Sequence, residues 1–297
     1  MSTTTQTGWL ASPAGGVLRT MRPRQWVKNL LVVAAPVLSG QLHDGEVIAG
    51  ALVAFVTFCL AASGIYLVND VIDVEADRAH PRKRYRPIAA GVVAPRTALA
   101  VAVALLLAAP VLAALATVNL VIVVCVYEVV SLAYCLLLKD EPVLDIAIVA
   151  SGFLLRAIAG GVATDIDLSQ WFLLSAAFGS LFMASGKRYA ESRAEGDLTA
   201  MRKTLGSYTQ TYLRFVWTLS AAVLITTYGL WAFEMQDRSG SPLPAISLAP
   251  FTLAVLRYAI DVDAGEADEP EVIALHDHVL QGLAVIWLVL VALAVYL

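Results

Sequence analysis

The chain has 297 residues, of which 59% are hydrophobic and 15% charged, with a net charge of −4 and a mean hydropathy of +0.75. Soluble globular proteins carry about 25% charged residues, so this composition excludes a water-soluble enzyme, and it also excludes intrinsic disorder. The near-neutral charge, with basic residues confined to a few segments, excludes a general nucleic-acid-binding protein. The composition therefore predicts a protein embedded in a membrane.

Nine apolar segments are each close to the length of about 20 residues that a membrane-spanning helix needs. They are residues 26–41, 46–68, 97–117, 119–138, 143–163, 170–186, 211–233, 244–260 and 274–297. The sequence therefore predicts an all-α polytopic membrane protein with nine transmembrane helices. Residues 1–20, which are rich in Ser, Thr and Gly, are expected to form a flexible cytoplasmic tail, and residues 21–297 a single intramembrane domain.

The positions of Lys and Arg predict how the chain is oriented in the plasma membrane. If the N-terminus lies in the cytoplasm and nine spans alternate, every Lys and Arg except Arg156 and Arg238 falls on the cytoplasmic side or next to it. Loops rich in Lys and Arg stay in the cytoplasm. Two of the predicted cytoplasmic loops, at about 69–96 and 187–210, are long and polar, and the candidate functional residues lie mostly there.

Acidic residues cluster where the second predicted span ends, in the run NDVIDVEAD at residues 69–77. At about 100° per residue, one face of a continuing helix carries Asn69, Asp70, Asp73 and Asp77. Glu75 falls on the opposite face. Carboxylates on one face repel each other, and a hard cation such as Mg²⁺, which binds a few carboxylates together with substrate phosphates, removes that repulsion. The alternative is a solvated acidic helix end, although acids at a helix C-terminus oppose the helix dipole.

Basic residues follow the acids directly, in the run RAHPRKRYRP at residues 78–87, which contains the candidate substrate-binding residues Lys83, Arg84 and Tyr85. A cluster of acidic residues next to a cluster of basic residues can bind a phosphate that chelates a metal ion. The acids hold the metal, which binds some of the phosphate oxygens, and the basic side chains bind the others. Alternatively, the basic run is a topology signal or a patch that contacts lipid headgroups.

One further charge, Arg156, lies near the middle of the fifth predicted span. A charged side chain at that depth costs several kcal/mol unless it is paired or functional. Two interpretations stay open: Arg156 binds a substrate phosphate in a central cavity, or it forms an internal ion pair, for which Glu128 is the candidate partner.

The motif N-D-x-x-D-x-x-x-D, followed by basic residues and R-P, resembles the UbiA-type intramembrane prenyltransferases. The run RPRQWVKN at residues 22–29 and the stretch from Tyr134 to Asp140 are similar to that family as well. The resemblance extends from about residue 20 to the end of the chain. It implies helices around a central cavity that opens to the cytoplasm and to lipid, with Arg22, Lys28 and Lys139 among the substrate-binding residues.

The chain departs from this family after the sixth predicted span. Typical members carry a second D-x-x-x-D motif there, whereas this chain reads SGKRYAE at residues 185–191, with Lys187, Arg188 and Glu191. A Lys/Arg pair facing one acidic cluster suits a donor that has another phosphate remote from the metal, as phosphoribosyl pyrophosphate does. The alternative is that Lys187 and Arg188 only anchor the span at the membrane interface.

The whole pattern is similar to the decaprenyl-phosphate phosphoribosyltransferase branch of the family. This resemblance implies Mg²⁺-dependent transfer of 5-phosphoribose from phosphoribosyl pyrophosphate to a polyprenyl phosphate, for cell-wall arabinan synthesis, with no nucleic-acid partner. A homo-oligomer is compatible with the sequence. Two other functions stay open: a prenyltransferase that uses a prenyl diphosphate and an aromatic acceptor, and a transporter of a phosphorylated solute.

Overall fold

The computed structural model describes residues 12–193, 203–267, 273 and 276–297, and its elements in these ranges are all helical. The α-helices are α1 (Pro13–Thr20), α2 (Ala34–Leu38), α3 (Gly45–Ile72), α4 (Val74–Ala79), α5 (Pro95–Ala113), α6 (Val118–Ala133), α7 (Leu144–Thr164), α8 (Gln170–Arg193), α9 (Gln210–Ser239), α10 (Leu243–Ala264) and α11 (His278–Tyr296). Tighter 3₁₀ turns occupy Pro23–Val33, Lys83–Tyr85 and Lys203–Ser207, and a wide π-helical turn, Tyr134–Leu138, continues α6. The prediction of an all-α fold is confirmed.

Seven of the described helices are long and apolar enough to cross a membrane: α3, α5, α6 with its π-helical turn, α7, α9, α10 and α11. The chain is therefore an integral membrane protein, but the predicted count of nine spans is not confirmed. Where the first span was predicted, the structure has the 3₁₀ segment Pro23–Val33 followed by the short α2. The 3₁₀ segment begins with Pro23 and α2 contains Pro36, and proline lacks the backbone N–H that a helix uses. The sixth predicted span lies within α8, which is 24 residues long but carries Ser, Gly and Lys residues that lower its hydropathy.

Three predicted boundaries differ from the structure because helices extend further than hydropathy indicates. Within the predicted tail, Pro13–Thr20 forms α1, whose first turn is capped by the Ser12 side chain accepting from the Gly15 N–H; residues 1–11 lie outside the described part of the chain. Helix α3 continues to Ile72, and α8 continues to Arg193. The acidic residues and Lys187 therefore lie on or beside helices, while 194–202 are outside the described residues.

Helix α7 joins two apolar cores. On one side it packs against α3, α6 and the 3₁₀ segment, around Phe58 and Tyr127, and on the other it packs against α8, around Ile146 and Tyr189. A side chain at Gly160 of α7 would overlap the backbone of the 3₁₀ segment. Small residues let helices approach closely in membranes, where packing rather than the hydrophobic effect holds them together.

Contacts between side chains show that several helices have their polar termini at the same end of the bundle. Lys139, which follows the π-helical turn, reaches Asp73 at the end of α3, with Nζ 2.6 Å from Oδ1. Arg188, near the end of α8, reaches Asp145 at the start of α7, with Nε 2.9 Å from Oδ2. We call the end that contains these four residues the polar end, and the candidate active site lies there.

Candidate active site

The acidic motif lies across the junction of α3 and α4. Asp73 separates the two helices, with φ −86° and ψ 6°, yet the Asp77 N–H still donates to the Asp73 carbonyl at 2.7 Å, so the helical path is nearly continuous. Asp70 and Asp77 are two turns apart and therefore share a face, and both are almost fully buried, with 2% and 3% exposed. Asn69 Nδ2 donates to Asp73 Oδ2 at 3.2 Å. The structure brings these four predicted residues to one end of α3.

Glu75 lies apart from this cluster. Its side chain is 80% exposed and pairs with Arg78, one turn further along α4, at 2.7 Å. The helical projection from the sequence placed Glu75 opposite the other acids, and the structure agrees.

Two arginines from outside the acidic motif, one before α3 and one after α4, neutralise the buried carboxylates. Arg86 Nη1 donates to Asp70 Oδ1 at 3.2 Å and to Asp77 Oδ2 at 2.7 Å. Arg22 Nη2 donates to the same Asp70 oxygen at 2.6 Å, and its guanidinium lies 4.7 Å from the centre of the Tyr66 ring. Buried carboxylates need such partners, because an unpaired charge out of water is very costly. The result is a compact group of alternating charges suited to binding phosphate oxygens and a cation together.

Lys139 completes the group from a third direction. The π-helical turn Tyr134–Leu138 precedes it, and such turns often occur at functional sites. Its ion pair with Asp73, at 2.6 Å, is partly exposed, with about 30% of each side chain accessible. The structure thus brings Arg22 and Lys139, two of the predicted substrate-binding residues, into contact with the acidic motif.

The donor atoms of this group suit Mg²⁺. The amide of Asn69 and the carboxylates of Asp70, Asp73 and Asp77 are all oxygen donors, which hard divalent cations prefer. Among the described residues, no three His, Cys, Asp or Glu side chains converge closely enough to hold a metal ion as they stand. The carboxylates are instead paired with Arg22, Arg86 and Lys139. The residues fit the ion by their chemistry, and binding it requires the carboxylates to turn from these partners.

Three of the predicted substrate-binding residues form a short 3₁₀ turn, Lys83–Tyr85. Arg84 Nη2 donates to the Tyr85 hydroxyl at 2.7 Å, and both side chains are exposed. The backbone N–H of Lys83 donates to Nδ1 of His80, which closes the turn. Arg84 and Tyr85 therefore contact each other and not the acids. Lys28, also predicted, lies half-buried in the 3₁₀ segment that begins at Pro23.

Lys187 and Arg188 are adjacent in sequence but differ completely in environment. Arg188 is 4% exposed and donates to two carboxylates, to Asp145 from Nε at 2.9 Å and to Glu191 from Nη1 at 2.7 Å. Glu191 thus pairs with Arg188 and not with Lys187. Lys187 is half-buried and makes no hydrogen bond or ion pair with any other described residue. Within the described part of the chain Lys187 therefore has no polar partner, whereas Arg188 pairs with two carboxylates.

Arg156 is held by neutral partners. Its Nε donates to Asn29 Oδ1 at 2.7 Å, its Nη1 to the Gly152 carbonyl at 2.6 Å and its Nη2 to the Tyr127 hydroxyl at 3.2 Å. The alternative of an ion pair with Glu128 is wrong. Since Glu128 is adjacent to Tyr127 on α6, its side chain points about 100° away, and its Oε1 is buried without a partner among the described residues.

Arg156 also lies far from the acids. Its guanidinium is 5.5 Å from the centre of the Phe58 ring on α3. Asp70 lies twelve residues further along the same helix, which at about 1.5 Å per residue corresponds to roughly 18 Å. The structure therefore does not bring Arg156 to the acidic motif, and one phosphate group cannot contact both.

Sequence reasoning missed three residues at the polar end. Arg86 was visible within the basic run, but nothing in the run distinguishes the arginine that bridges Asp70 and Asp77 from its neighbours. Asp145 is fully buried and accepts hydrogen bonds from Arg188 and from the Tyr208 hydroxyl. Tyr208 lies 63 residues from Asp145 along the chain, so no local pattern could connect them.

Comparisons with known proteins agree with this architecture. The sequence model of the UbiA prenyltransferase family matches residues 30–278. A protein of Mycolicibacterium smegmatis named decaprenyl-phosphate phosphoribosyltransferase is 56% identical over 295 residues, which cover 95% of this chain and 92% of that protein. A Mycobacterium tuberculosis protein of the same name is 57% identical over 290 residues, which cover 96% of each chain.

Among solved structures, a UbiA homolog from Archaeoglobus fulgidus, bound to DMAPP and Mg²⁺, superimposes with a TM-score of 0.73 at 16% identity and covers 94% of this chain and 98% of that one. At this identity the likeness concerns the fold. The family match covers most of the chain, the relatives share more than half of its residues along nearly their whole length, and the helices superimpose. This chain therefore belongs to the UbiA prenyltransferase family.

Proposed function

We propose that this chain transfers the 5-phosphoribosyl group of phosphoribosyl pyrophosphate to a polyprenyl phosphate, the decaprenyl lipid of its relatives' names, and releases pyrophosphate. The observation that carries this proposal is the identity of 56–57%, over 95–96% of the chain, with relatives named decaprenyl-phosphate phosphoribosyltransferase. The charge pattern of the polar end supports it, because a donor with phosphates at both ends needs an acidic, metal-binding group and a separate cation.

The acidic motif would bind the pyrophosphate of the donor. Mg²⁺, when held by Asn69, Asp70, Asp73 and Asp77, would supply positive charge to the departing pyrophosphate. Arg22, Arg86 and Lys139 lie against these carboxylates at 2.6–3.2 Å, so their N–H groups are in reach of the same phosphate oxygens. Charge-assisted hydrogen bonds of this kind are about twice as strong as neutral ones.

Lys187 is our candidate for the 5-phosphate of the donor. It lacks a partner among the described residues, and it precedes Arg188, whose contacts to Asp145 and Glu191 hold this part of α8 in place. Arg188 would then position Lys187 and not bind the substrate itself. This assigns different roles to the two cations that replace the second acidic motif of typical family members.

The acceptor needs no general base. The second pKa of a phosphate monoester is about 6, so the phosphate of a polyprenyl lipid is largely a dianion at neutral pH. One of its oxygens would attack the anomeric carbon as the bond from that carbon to pyrophosphate breaks, which inverts the configuration. The protein contributes by holding both phosphates in place and by neutralising charge. Because Lys and Arg are concentrated at the polar end, we place that end in the cytoplasm.

The test is to incubate the purified protein with labelled phosphoribosyl pyrophosphate, Mg²⁺ and decaprenyl phosphate, and to extract the lipids. A labelled lipid that releases ribose phosphate on mild acid treatment supports the proposal. Matched reactions contain a prenyl diphosphate with an aromatic acceptor, and proteoliposomes loaded with a phosphorylated sugar. If the lipid stays unlabelled and the protein transfers the prenyl group to the aromatic acceptor, the chain is a prenyltransferase and the proposal is wrong. If the lipid stays unlabelled and the phosphorylated sugar crosses the membrane of the proteoliposomes, the chain is a transporter and the proposal is wrong.

A further inference from the structure

Asp145 is the centre of a buried hydrogen-bond network that the transfer chemistry above does not use. Its side chain is 0% exposed, and it accepts from Arg188 Nε at 2.9 Å and from the Tyr208 hydroxyl at 2.5 Å. The Thr204 hydroxyl approaches it at 3.4 Å. Thr204 and Tyr208 lie in the segment just before α9. The network therefore connects that segment to the start of α7 by hydrogen bonds.

The same Tyr208 hydroxyl accepts a hydrogen bond from the backbone N–H of Val143. Val143 has φ +70° and ψ −47°, a conformation that a β-branched side chain rarely adopts, because its Cβ crowds the backbone. Such a residue persists only where its surroundings hold it. Tyr208 provides that restraint, since its hydroxyl is fixed on Asp145 by one bond and on Val143 by the other.

Val143 lies four residues after Lys139, and backbone hydrogen bonds hold the short segment between the π-helical turn and α7 that contains both. The Asp145 N–H donates to the Glu141 carbonyl at 3.1 Å, and the Glu141 N–H donates to the Leu138 carbonyl at 3.2 Å. These bonds make a short, continuous path from the start of α7 to the π-helical turn. Since Lys139 lies on that path, a change in the Val143 turn would move the ammonium group that contacts Asp73.

We propose that Tyr208 is a positioning residue whose hydroxyl holds the strained turn at Val143 and so keeps Lys139 on Asp73. The inference rests on the proposed function, because Lys139 matters there as a cation beside the pyrophosphate. Burial, together with the hydrogen bond to Asp145, raises the pKa of Tyr208. The hydroxyl therefore stays protonated and donates to the carboxylate over the whole physiological range.

The first test is Tyr208→Phe, which removes the hydroxyl and keeps the ring. We expect kcat to fall about tenfold, with KM for the donor little changed; a tenfold change corresponds to a coupling of about 1.4 kcal/mol. In a Lys139→Ala background the same substitution should cost less than about twofold. Tyr212→Phe is the matched control, because Tyr212 stacks on Tyr208 with ring centres 5.6 Å apart but forms no described hydrogen bond through its hydroxyl. If the losses of kcat from Tyr208→Phe and Lys139→Ala multiply in the double variant, the two residues act independently and the proposal is overturned.

The second test is rescue by Val143→Gly. Glycine adopts φ +70° without strain, so the turn should keep its shape without the hydroxyl, and Tyr208→Phe combined with Val143→Gly should recover most of the lost kcat. If Tyr208 served only to satisfy Asp145, glycine at position 143 would not help. Absence of rescue would therefore count against the proposal.

A third measurement does not depend on activity. Acetylation of Lys139 by an N-hydroxysuccinimide ester, followed by peptide mass spectrometry, reports whether its amine is held in the ion pair. We expect Lys139 to react several times faster in Tyr208→Phe than in wild type, with Lys187 unchanged as the internal reference. An unchanged Lys139 rate overturns the positioning role. If wild type makes no labelled lipid, the proposed function fails, and the acetylation rates still decide this inference.

Discussion

Lys187→Ala should weaken recognition of the 5-phosphate of the donor without unfolding the protein. Lys187 makes no hydrogen bond or ion pair with any other residue that the structure describes, so truncating it breaks no polar contact within the described part of the chain. A hydrogen bond from a charged group to phosphate contributes about 1.5–3 kcal/mol, which corresponds to about tenfold to a hundredfold. We expect kcat/KM for phosphoribosyl pyrophosphate to fall by a factor in that range.

The assay compares ribosyl pyrophosphate donors with and without the 5-phosphate, on wild type and on Lys187→Ala. Wild type should strongly prefer the phosphorylated donor, and the variant should lose most of that preference. Binding energy from a part of the substrate remote from the reacting bond also orients that bond, so kcat should fall together with affinity.

Arg188→Ala is the matched comparison, because the two cations are neighbours with different contacts. Removing Arg188 leaves the fully buried Asp145 without its ion-pair partner, and breaking a buried pair in this way costs about 3–5 kcal/mol of stability. Its thermal unfolding temperature should drop clearly, whereas that of Lys187→Ala should not. If Lys187→Ala is folded and discriminates between the donors as wild type does, the reasoning is refuted and Lys139 is the next candidate.

Asp77→Ala should reduce turnover more than the 10–100-fold loss that is typical of groups that only support a metal ligand. Glu75→Ala alters an exposed ion pair and should change turnover less than about twofold. Equal losses in the two variants would contradict the placement of Asp77 and Glu75 on opposite faces of the helix. Arg86→Lys should lower kcat/KM about tenfold, because an ammonium group cannot bridge Asp70 and Asp77 as the guanidinium does; wild-type kinetics would exclude that role. EDTA should abolish transfer and Mg²⁺ should restore it, and full activity in EDTA would remove the metal from the mechanism. Burial, followed by neighbouring positive charges, lowers the pKa of His80 below 6.5. Neutral His80 accepts hydrogen bonds at Nδ1 from the backbone N–H groups of Arg82 and Lys83, so its stabilisation of this turn is fully present above pH 6.5 and is lost as pH falls through the lowered pKa. His80→Ala should therefore remove the corresponding acid limb from the pH–rate profile.

The acidic face could be predicted from sequence because it depends only on helical periodicity. Asp70 and Asp77 are seven residues apart, which is about two helical turns, so they share one face of the helix whatever surrounds them. The same reasoning placed Glu75 on the opposite side, where the structure has it exposed. The all-α fold was predictable for a similar reason, since an apolar chain in lipid must satisfy its backbone hydrogen bonds within helices.

Partners between helices were not predictable from the chain. Arg86 bridges Asp70 and Asp77 because α4 and the 3₁₀ turn Lys83–Tyr85 lead the chain back to the end of α3. The sequence of this segment does not specify which of its basic residues makes the bridge. The sequence predicts Arg188 together with Lys187 as a phosphate ligand, whereas the burial of Arg188 against Asp145 depends on how α7 and α8 pack. Hydropathy also could not show that Pro23–Val33 is a 3₁₀ segment, because apolar content is the same in either helix type.

Arg156 shows how a charge can lie deep in this bundle without a carboxylate partner. A guanidinium at that depth needs acceptors for its N–H groups, and Asn29, Gly152 and Tyr127 provide them while the Phe58 ring covers one face. Asn29 belongs to the same 3₁₀ segment that begins beside Arg22, so this contact ties the segment to α7. The cost of burying one charge is thereby offset by hydrogen bonds, one of which adds a polar connection to the close packing of the 3₁₀ segment on α7. Arg156 therefore joins helices, a role different from the phosphate binding that we propose for the cations at the polar end.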